Sequence, residues 1–211
     1  MSDEPVVYGA PYSVYVRAVR LTLTEKGVPY ELVPVDVFAP DGPPPEYLAR
    51  HPFGRIPAFE HRGFRLYEAA AISQYVDEVF DGPPLQARSP ELRARTAQVI
   101  SVLDCYVYRT LVWDIYVERV SAPKRGKGSN EDRIRNALPR AATCLAALEQ
   151  IMGPEPFLAG PALTLADLHA APMFALFTVT PEAERLIACH PALTQWWENI
   201  AQRPSMAATA A

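Results

Sequence analysis

Hydrophobic and polar positions in the first 35 residues alternate between strand and helix patterns. The β-branched run Pro5–Tyr8 and the alternating run Tyr30–Val35 predict two strands. Between them, apolar residues at helical spacing follow Ser13, which is a good N-cap residue, and end near Gly27, a typical helix stop. Because Pro34 has no backbone N–H, we expect the second strand at an edge of the sheet. The pattern predicts a β-α-β unit.

The next 45 residues predict a hairpin and another helix. The segments Pro57–Glu60 and Phe64–Tyr67 are joined through Arg62–Gly63, which is typical of a β-hairpin. Apolar residues then recur at helical spacing over Glu68–Val79. With a short helix after the proline-rich loop Asp41–Pro45, the predicted order is β-α-β-α-β-β-α.

The second half of the chain has few strand signals. Asp81–Pro84 breaks the pattern, and helical periodicity dominates from Pro90 onward. The candidate helices are Pro90–Val120, Glu131–Met152, Leu165–Phe177, Pro181–Cys189 and Ala192–Gln202. We therefore predict a mixed α/β domain over residues 1–80, a linker over 81–89 and an all-helical domain over 90–211.

Composition narrows the classes of protein and of partner. The chain is 49% hydrophobic and 21% charged with a formal net charge of -4, as in an ordinary globular protein, so we expect no nucleic-acid partner. The basic cluster Lys124–Lys127 is predicted to be a solvated loop. No apolar run approaches the ~20 residues that span a bilayer. The acidic start lacks the features of a signal peptide, so we expect no membrane association and a cytoplasmic location.

The cysteines and histidines give no sign of a disulfide framework or a metal site. Cys105, Cys144 and Cys189 are odd in number and far apart, and each lies in a helical pattern, so we expect buried thiols. The four histidines show no metal-ligand spacing, and we expect no metal.

Three motifs carry a family resemblance. Residues 52–59 read Pro-Phe-Gly-Arg-Ile-Pro-Ala-Phe and residues 66–72 read Leu-Tyr-Glu-Ala-Ala-Ala-Ile. Together they resemble NPFGQ(I/V)PAF…L(F/Y)ESRAI of glutathione S-transferases, with the usual spacing. The run FLAG…LTLAD over residues 157–167 is similar to that family's FLAG…(L/F)(S/T)LAD. The resemblance covers nearly the whole chain and is closest to phi-like and bacterial members. It implies a thioredoxin-like N-terminal domain followed by the all-helical glutathione-transferase domain.

The resemblance also implies a glutathione site in the first domain. Ile56-Pro57 is expected to be a cis peptide whose Ile56 backbone pairs with glutathione as an added strand does. Glu68 is expected to bind the ammonium of the γ-glutamyl end at a helix N-terminus. The usual serine after it is Ala69 here, which removes a hydroxyl donor for the γ-glutamyl carboxylate. Arg55 replaces the usual Gln, and it can supply the positive charge that phi-like members place in the loop before residue 46.

Ser13 is the candidate catalytic residue. It lies where the resemblance places the catalytic serine of serine-type transferases, and its hydroxyl would stabilise the glutathione thiolate. Two alternatives stay open: Ser13 only caps its helix, or Tyr8 is the hydroxyl donor, as in classes that use a strand-end tyrosine. Tyr12 is expected to line the acceptor pocket.

The helical half offers further candidates. The long helix is rich in aromatic residues, and we expect Trp113 and Tyr116 to face a hydrophobic acceptor site between the domains, with ordinary packing as the alternative. Asp104 can reach the glutathione of a partner subunit, as an acid on this helix does in many members. Thr164 and Asp167 match a capping box, so we expect Asp167 to be buried and structural.

Several functional hypotheses follow from these residues. The first is a homodimeric, cytoplasmic glutathione transferase that adds glutathione, its co-substrate, to a small hydrophobic electrophile. Ala69 and the missing basic loop residue motivate a second, a non-catalytic ligand-binding or protein-interaction protein with the same fold. A glutathione-dependent lyase, isomerase or dehalogenase would share the site. The sequence does not identify the acceptor.

Overall fold

The computed structural model describes residues 3–210. It contains two compact units. The first consists of the residues up to Leu85 together with those from Arg203 onward, and the second is Gln86–Gln202.

The first unit is built around a four-stranded sheet. Up to residue 80 its elements are β1 (Val6–Tyr8), α1 (Val14–Glu25), β2 (Glu31–Val33), α2 (Pro45–Leu48), β3 (Ala58–His61), β4 (Phe64–Tyr67) and α3 (Ala69–Val79). The strand order is β2-β1-β3-β4, with β1 parallel to β2 and antiparallel to β3, and β3 antiparallel to β4. This is the predicted thioredoxin-like order, and β2, the strand that Pro34 follows, lies at an edge as expected.

The core of this unit lies where β1, β3, α1 and α3 pack together. It is formed by fully buried apolar side chains: Val7, Val16, Val19, Leu23, Phe59, Ile72 and Val76. The β3–β4 hairpin turns through Arg62 and Gly63, whose φ angles of 51° and 83° match the tight hairpin turn that the sequence predicts.

The second unit is helical. Its elements are α4 (Pro90–Val102), a π-helix (Leu103–Ser121), α5 (Ala122–Lys124), α6 (Glu131–Met152), α7 (Leu165–Phe177), α8 (Pro181–Ile187) and α9 (Pro191–Ala201). The predicted helices at 131–152 and 165–177 are confirmed to the residue. The basic cluster Lys124–Lys127 is exposed, as predicted, but its first residue, Lys124, ends α5 and is not part of a loop.

The predicted single helix Pro90–Val120 is instead an α-helix that continues as a wider π-helix. The backbone N–H of Ala122 donates to the carbonyl of Val117, five residues earlier. In a π-helix, residues five apart become neighbours. This geometry brings Arg109 Nε to 3.1 Å from the buried Asp114 Oδ1. The sequence pattern shows helical periodicity but not this change of pitch.

The capping box at the start of α7 is present and buried. Asp167 is fully buried and accepts hydrogen bonds from the N–H and hydroxyl of Thr164, the N–H of Leu158 and the indole Nε1 of Trp196. Burial raises the pKa of Asp167, and the hydrogen bonds offset part of that shift. The predicted structural role of this residue is confirmed.

The C-terminal segment belongs to the first unit, which corrects the predicted extent 90–211 of the helical domain. A short helix, α10 (Pro204–Ala208), packs against α1. Arg17 and Arg20 of α1 donate to the backbone carbonyls of Met206 and Thr209. These contacts join residues nearly 190 positions apart, so local sequence patterns did not reveal them.

An acidic residue of α1 strengthens this attachment. Glu25 accepts two hydrogen bonds from Arg203 at 2.7 and 2.8 Å and one from Ser205. Burial alone would raise the pKa of Glu25, but these hydrogen bonds and the charge of Arg203 outweigh burial and lower it.

The expectation that all three cysteines are buried is wrong for two of them. Cys105 and Cys189 are exposed and Cys144 is buried, and all three are free thiols. Cys105 lies one residue after Asp104 in the π-helix, where residues 104–106 are all exposed. Within residues 3–210, none of the helices combines the length and apolar character that a bilayer crossing requires. No cluster of three or more potential metal-binding His, Cys, Asp or Glu side chains occurs among those residues.

Candidate functional site

Ser13 lies at the N-terminus of α1, immediately after the turn that follows β1. The turn is tight: a Cβ on Gly9 would lie 2.4 Å from Val16 Cγ2, so only glycine fits there. The Ser13 N–H donates to the Ala10 carbonyl at 3.0 Å, and its Oγ accepts from the Val16 N–H at 3.4 Å. The predicted N-cap is therefore confirmed. Because the cap uses Oγ as an acceptor, the hydroxyl proton stays available to a ligand.

Tyr8, the alternative hydroxyl donor, is half-buried in β1. The guanidinium of Arg50 lies 4.2 Å from the centre of its ring, and Arg50 in turn forms an ion pair with Glu60 of β3. A cation over a tyrosine ring is favourable and fixes the ring's position. This packing gives Tyr8 a role in the sheet, and its role as a donor stays a prediction.

The peptide bond between Ile56 and Pro57 is cis, as the family resemblance implies. Neither the N–H nor the C=O of Ile56 has a hydrogen-bond partner among residues 3–210. The preceding carbonyl, that of Arg55, accepts from the Tyr47 hydroxyl at 2.6 Å. This hydrogen bond ties the loop to α2, and the backbone edge at Ile56 just before β3 stays open.

Glu68 is the N-cap residue of α3 and has an unusual backbone conformation. Its φ and ψ are 72° and 115°, a region that costs a non-glycine residue about 1–3 kcal/mol and is concentrated at functional sites. Its exposed side chain makes no capping hydrogen bond. The first N–H groups of α3, beginning at Ala69, have no partner within the helix. The buried methyl of Ala69 offers no hydroxyl there.

Two further side chains lie close to this carboxylate. Arg55 is exposed and forms no ion pair with any described residue. His51 is buried, and both Glu68 and Arg55 act electrostatically on its ring. Sequence reasoning missed His51; the signal was the histidine at the position where the family motif has asparagine.

Tyr12 stacks on an aromatic residue that sequence reasoning also missed. Its ring centre lies 6.2 Å from that of Phe38, the planes meet at 28°, and both side chains are more than half exposed. Asp36 accepts a hydrogen bond from the Phe38 N–H at 2.9 Å and lies 3.5 Å from the Tyr12 hydroxyl. Burial and Asp36 raise the pKa of Tyr12. An exposed aromatic pair thus lies one residue from Ser13.

The candidates of the second unit lie on the π-helix. Trp113 and Tyr116 are half-buried there. The carboxylate of Asp104 hydrogen-bonds to His169 Nε2 of α7 at 2.8 Å, so this acid has a partner within its own unit. The roles predicted for these three residues stay predictions.

Two open surface depressions lie away from the candidate residues. One, of ≈ 760 Å³, is lined by residues that include Lys26 and Gly82, and the other, of ≈ 660 Å³, by residues that include Thr180 and Trp197. Neither includes a residue from the candidate site, and the chemistry described above favours the candidate site over both.

Two family models match the chain. The model described as "Glutathione S-transferase, N-terminal domain" matches residues 7–84, and "Glutathione S-transferase, C-terminal domain" matches residues 110–204. The chain belongs to the glutathione S-transferase family. The family predicted from the sequence motifs is thereby confirmed.

Relatives and solved structures agree with this assignment. "Glutathione S-transferase F13" of Arabidopsis thaliana is 30% identical over 201 residues, which cover 94% of this chain and 91% of the relative. Glutathione transferase F7 from Populus trichocarpa has a TM-score of 0.86 at 30% identity and covers 97% of both chains. Glutathione S-transferase I from mais, in complex with an atrazine glutathione conjugate, has a TM-score of 0.85 at 27% identity and covers 98% of this chain and 96% of its own. The phi-like character fits these plant relatives, and the predicted fold class is confirmed.

Proposed function

We propose that this glutathione transferase adds the thiolate of glutathione to a small hydrophobic electrophile, with Ser13 as the donor that stabilises the thiolate. The observation that carries the proposal is the Ser13 hydroxyl at the N-terminus of α1, whose oxygen accepts the cap hydrogen bond while its proton stays available. An ordinary thiol has a pKa near ~8.5, so little of it is thiolate at neutral pH. A hydroxyl donor at the positive end of a helix lowers that pKa. The serine donates a hydrogen bond and does not itself attack the electrophile.

The first unit supplies the groups that glutathione needs. The open backbone edge at Ile56, before Pro57, can pair with the cysteinyl backbone of glutathione as an added strand does. The Glu68 carboxylate makes no capping hydrogen bond to α3, so it is available to the γ-glutamyl ammonium. The N–H groups at the start of α3, from Ala69 onward, suit the γ-glutamyl carboxylate. The unpaired guanidinium of Arg55 suits the glycyl carboxylate.

Aromatic side chains would contact the acceptor. We assign Tyr12 to the acceptor pocket because its exposed ring, stacked on Phe38, lies next to Ser13 in the chain. Trp113 and Tyr116 of the π-helix are proposed as acceptor contacts on their aromatic character alone. A solved relative that holds an atrazine glutathione conjugate supports an acceptor to which glutathione is joined.

The proposal includes a cytoplasmic homodimer. Exposed aromatic side chains on the first unit support dimerisation: Phe53 is 70% and Tyr67 37% exposed, and their rings lie 6.2 Å apart. Three free thiols are typical of a reducing compartment. Sedimentation velocity measures the oligomeric state directly.

The proposed function is tested first by glutathione binding and by activity against a panel of electrophiles. We expect retention on a glutathione-affinity column and conjugation of at least one small aromatic electrophile. Retention without conjugation of any electrophile would favour the ligand-binding alternative. No retention and no binding by calorimetry would refute the glutathione site.

The second test restores the missing hydroxyl. In the proposed complex, the γ-glutamyl carboxylate of glutathione lacks one hydroxyl donor because Ala69 replaces the usual serine. A bridging water would recover part of that loss. We expect Ala69→Ser to lower the dissociation constant of glutathione roughly tenfold, about 1.4 kcal/mol. Ala70→Ser, one residue along the same helix, is the matched control and should bind as the wild type does. Equal or weaker binding by Ala69→Ser would mean that the pocket is adapted to alanine and to another ligand.

A further inference from the structure

A buried histidine lies under the proposed γ-glutamyl pocket. His51 occupies the position that is asparagine in the motif NPFGQ, and it is only 2% exposed. Its ring centre lies 4.8 Å from that of Tyr67, 6.2 Å from that of Phe53 and 6.5 Å from that of Tyr47. Tyr67 immediately precedes Glu68 in the chain. The imidazole therefore packs against the side chain of the residue that immediately precedes Glu68.

One ring nitrogen of His51 lacks a hydrogen-bond partner in the part of the chain that the structure describes. His51 Nδ1 is buried and has no hydrogen-bond partner within the described residues. Buried polar atoms in folded proteins nearly always have a partner, so each exception needs a specific explanation. An asparagine at this position would carry no titratable group, whereas a histidine can change its charge between pH 5 and 8.

The titratable and charged groups that face His51 come from four segments of the first unit. They are the phenol of Tyr47 from α2, Arg55 from the loop before β3, the phenol of Tyr67 from β4 and the carboxylate of Glu68 at the start of α3. Burial lowers the pKa of His51 and Arg55 lowers it further, while Glu68 opposes both. The net direction is downward, so the ring is neutral at pH 7.

We propose that His51 is a positioning residue for glutathione: its neutral ring leaves the Glu68 carboxylate free for the substrate ammonium, and its protonation draws that carboxylate away. Glutathione binding and proton binding to His51 then compete for one carboxylate. The inference rests on the proposed function and adds a proton linkage to the same site. It makes glutathione affinity fall below the ordinary imidazole pKa of about 6.5.

The linkage has a signature that the ligand itself does not produce. The carboxyl groups of glutathione titrate near pH 4 and its amine above pH 7, so the free ligand gives no transition between pH 5 and 7. Linkage is also reciprocal, so bound glutathione must lower the pKa of His51 by the same factor by which protonation weakens binding.

Calorimetric titration of glutathione at pH 7.5, 6.5, 5.5 and 5.0 and constant ionic strength tests the proposal. For the wild type we expect binding to weaken at least about threefold between pH 7.5 and 5.0, with a limiting slope of tenfold per pH unit for one proton. His51→Asn should bind glutathione at pH 7.5 and show no such slope, and His51→Gln is the second variant should His51→Asn fold poorly. His61→Asn is the matched control, because His61 is the other buried histidine of this unit with an unpartnered nitrogen. It should keep the wild-type slope.

A measurement on the wild type alone keeps the proposal testable if the variants do not fold. The NMR titration of the His51 imidazole should give a lower pKa with saturating glutathione than without it. The same slope in wild type and His51→Asn, or an unchanged His51 pKa on binding, would overturn the proposal and leave the proposed function intact. No glutathione binding by the wild type at any pH would overturn both.

Discussion

Replacement of Ser13 by alanine separates the two roles of this hydroxyl. As the N-cap of α1, Ser13 accepts from the Val16 N–H at 3.4 Å, a long hydrogen bond. Loss of an N-cap costs about 0.5–2 kcal/mol, and a bond of this length belongs at the low end of that range. For a protein of this size, 1 kcal/mol corresponds to a fall in Tm of roughly 2–4 °C. The variant is therefore expected to fold and to bind glutathione.

The effect on the bound thiol should be larger. A hydrogen bond to a charged group contributes about 1.5–3 kcal/mol, and one pKa unit corresponds to 1.36 kcal/mol, so Ser13→Ala should raise the pKa of the bound glutathione thiol by roughly one to two units. The thiolate fraction near neutral pH, and with it the conjugation rate, then falls by about tenfold or more. The ultraviolet absorbance of the thiolate, recorded against pH with glutathione saturating, measures the shift.

A second serine cap provides the control. Ser89 caps α4 with nearly the same backbone conformation and accepts from the Leu92 N–H at 3.2 Å. Ser89→Ala should lose a similar amount of stability and keep the wild-type thiol pKa. An equal thiol pKa in the wild type and Ser13→Ala would refute the assigned role, as would an equal loss of activity in the two variants.

Three further predictions concern the stability of each unit. Lys26 and Asp77 form a buried ion pair at 3.1 Å with side chains 3% and 6% exposed, so Lys26→Met should leave an uncompensated buried carboxylate and cost about 3–5 kcal/mol in urea unfolding. The double variant with Asp77→Asn should recover part of that loss. Asp167→Ala should leave three buried N–H donors without an acceptor at about 1–3 kcal/mol each, a large share of the stability of a domain, and a wild-type urea midpoint would contradict the described network. The hydrogen bonds and charge of Arg203 lower the folded-state pKa of Glu25. The carboxylate of Glu25 therefore adds to the free energy of unfolding above pH ~4.3, and this contribution is lost as pH falls further. The stability difference between Glu25→Gln and the wild type should thus shrink between pH 5 and pH 3, and a difference independent of pH would exclude this ionic contribution.

Some features of the fold and site follow from the sequence because short-range chemistry sets them. The Ser13 cap, the hairpin at Arg62–Gly63 and the capping box of Thr164 and Asp167 each depend on residues within a few positions of one another. The family motifs carried the cis peptide at Ile56–Pro57. These features were predicted with their residues, and the structure agrees.

Other features depend on residues that only the folded chain brings together. The attachment of α10 to α1 joins Arg17 to Met206, the aromatic pair of Tyr12 and Phe38 joins a turn to a loop, and the π-helix changes pitch within one helical pattern. No local pattern encodes such contacts, because periodicity records which face of an element is buried and not which element covers it.

The proposed glutathione site combines both kinds of information. The sequence by itself determined which residues are present there: a serine cap, the backbone edge before Pro57 and an acid at the start of α3. Only the tertiary structure decided that Glu68 has a positive φ and that a histidine is buried against the ring of Tyr67, the residue before it. Burial and neighbouring charge set the pKa of that imidazole, and both are properties of the packed chain, not of the residue type.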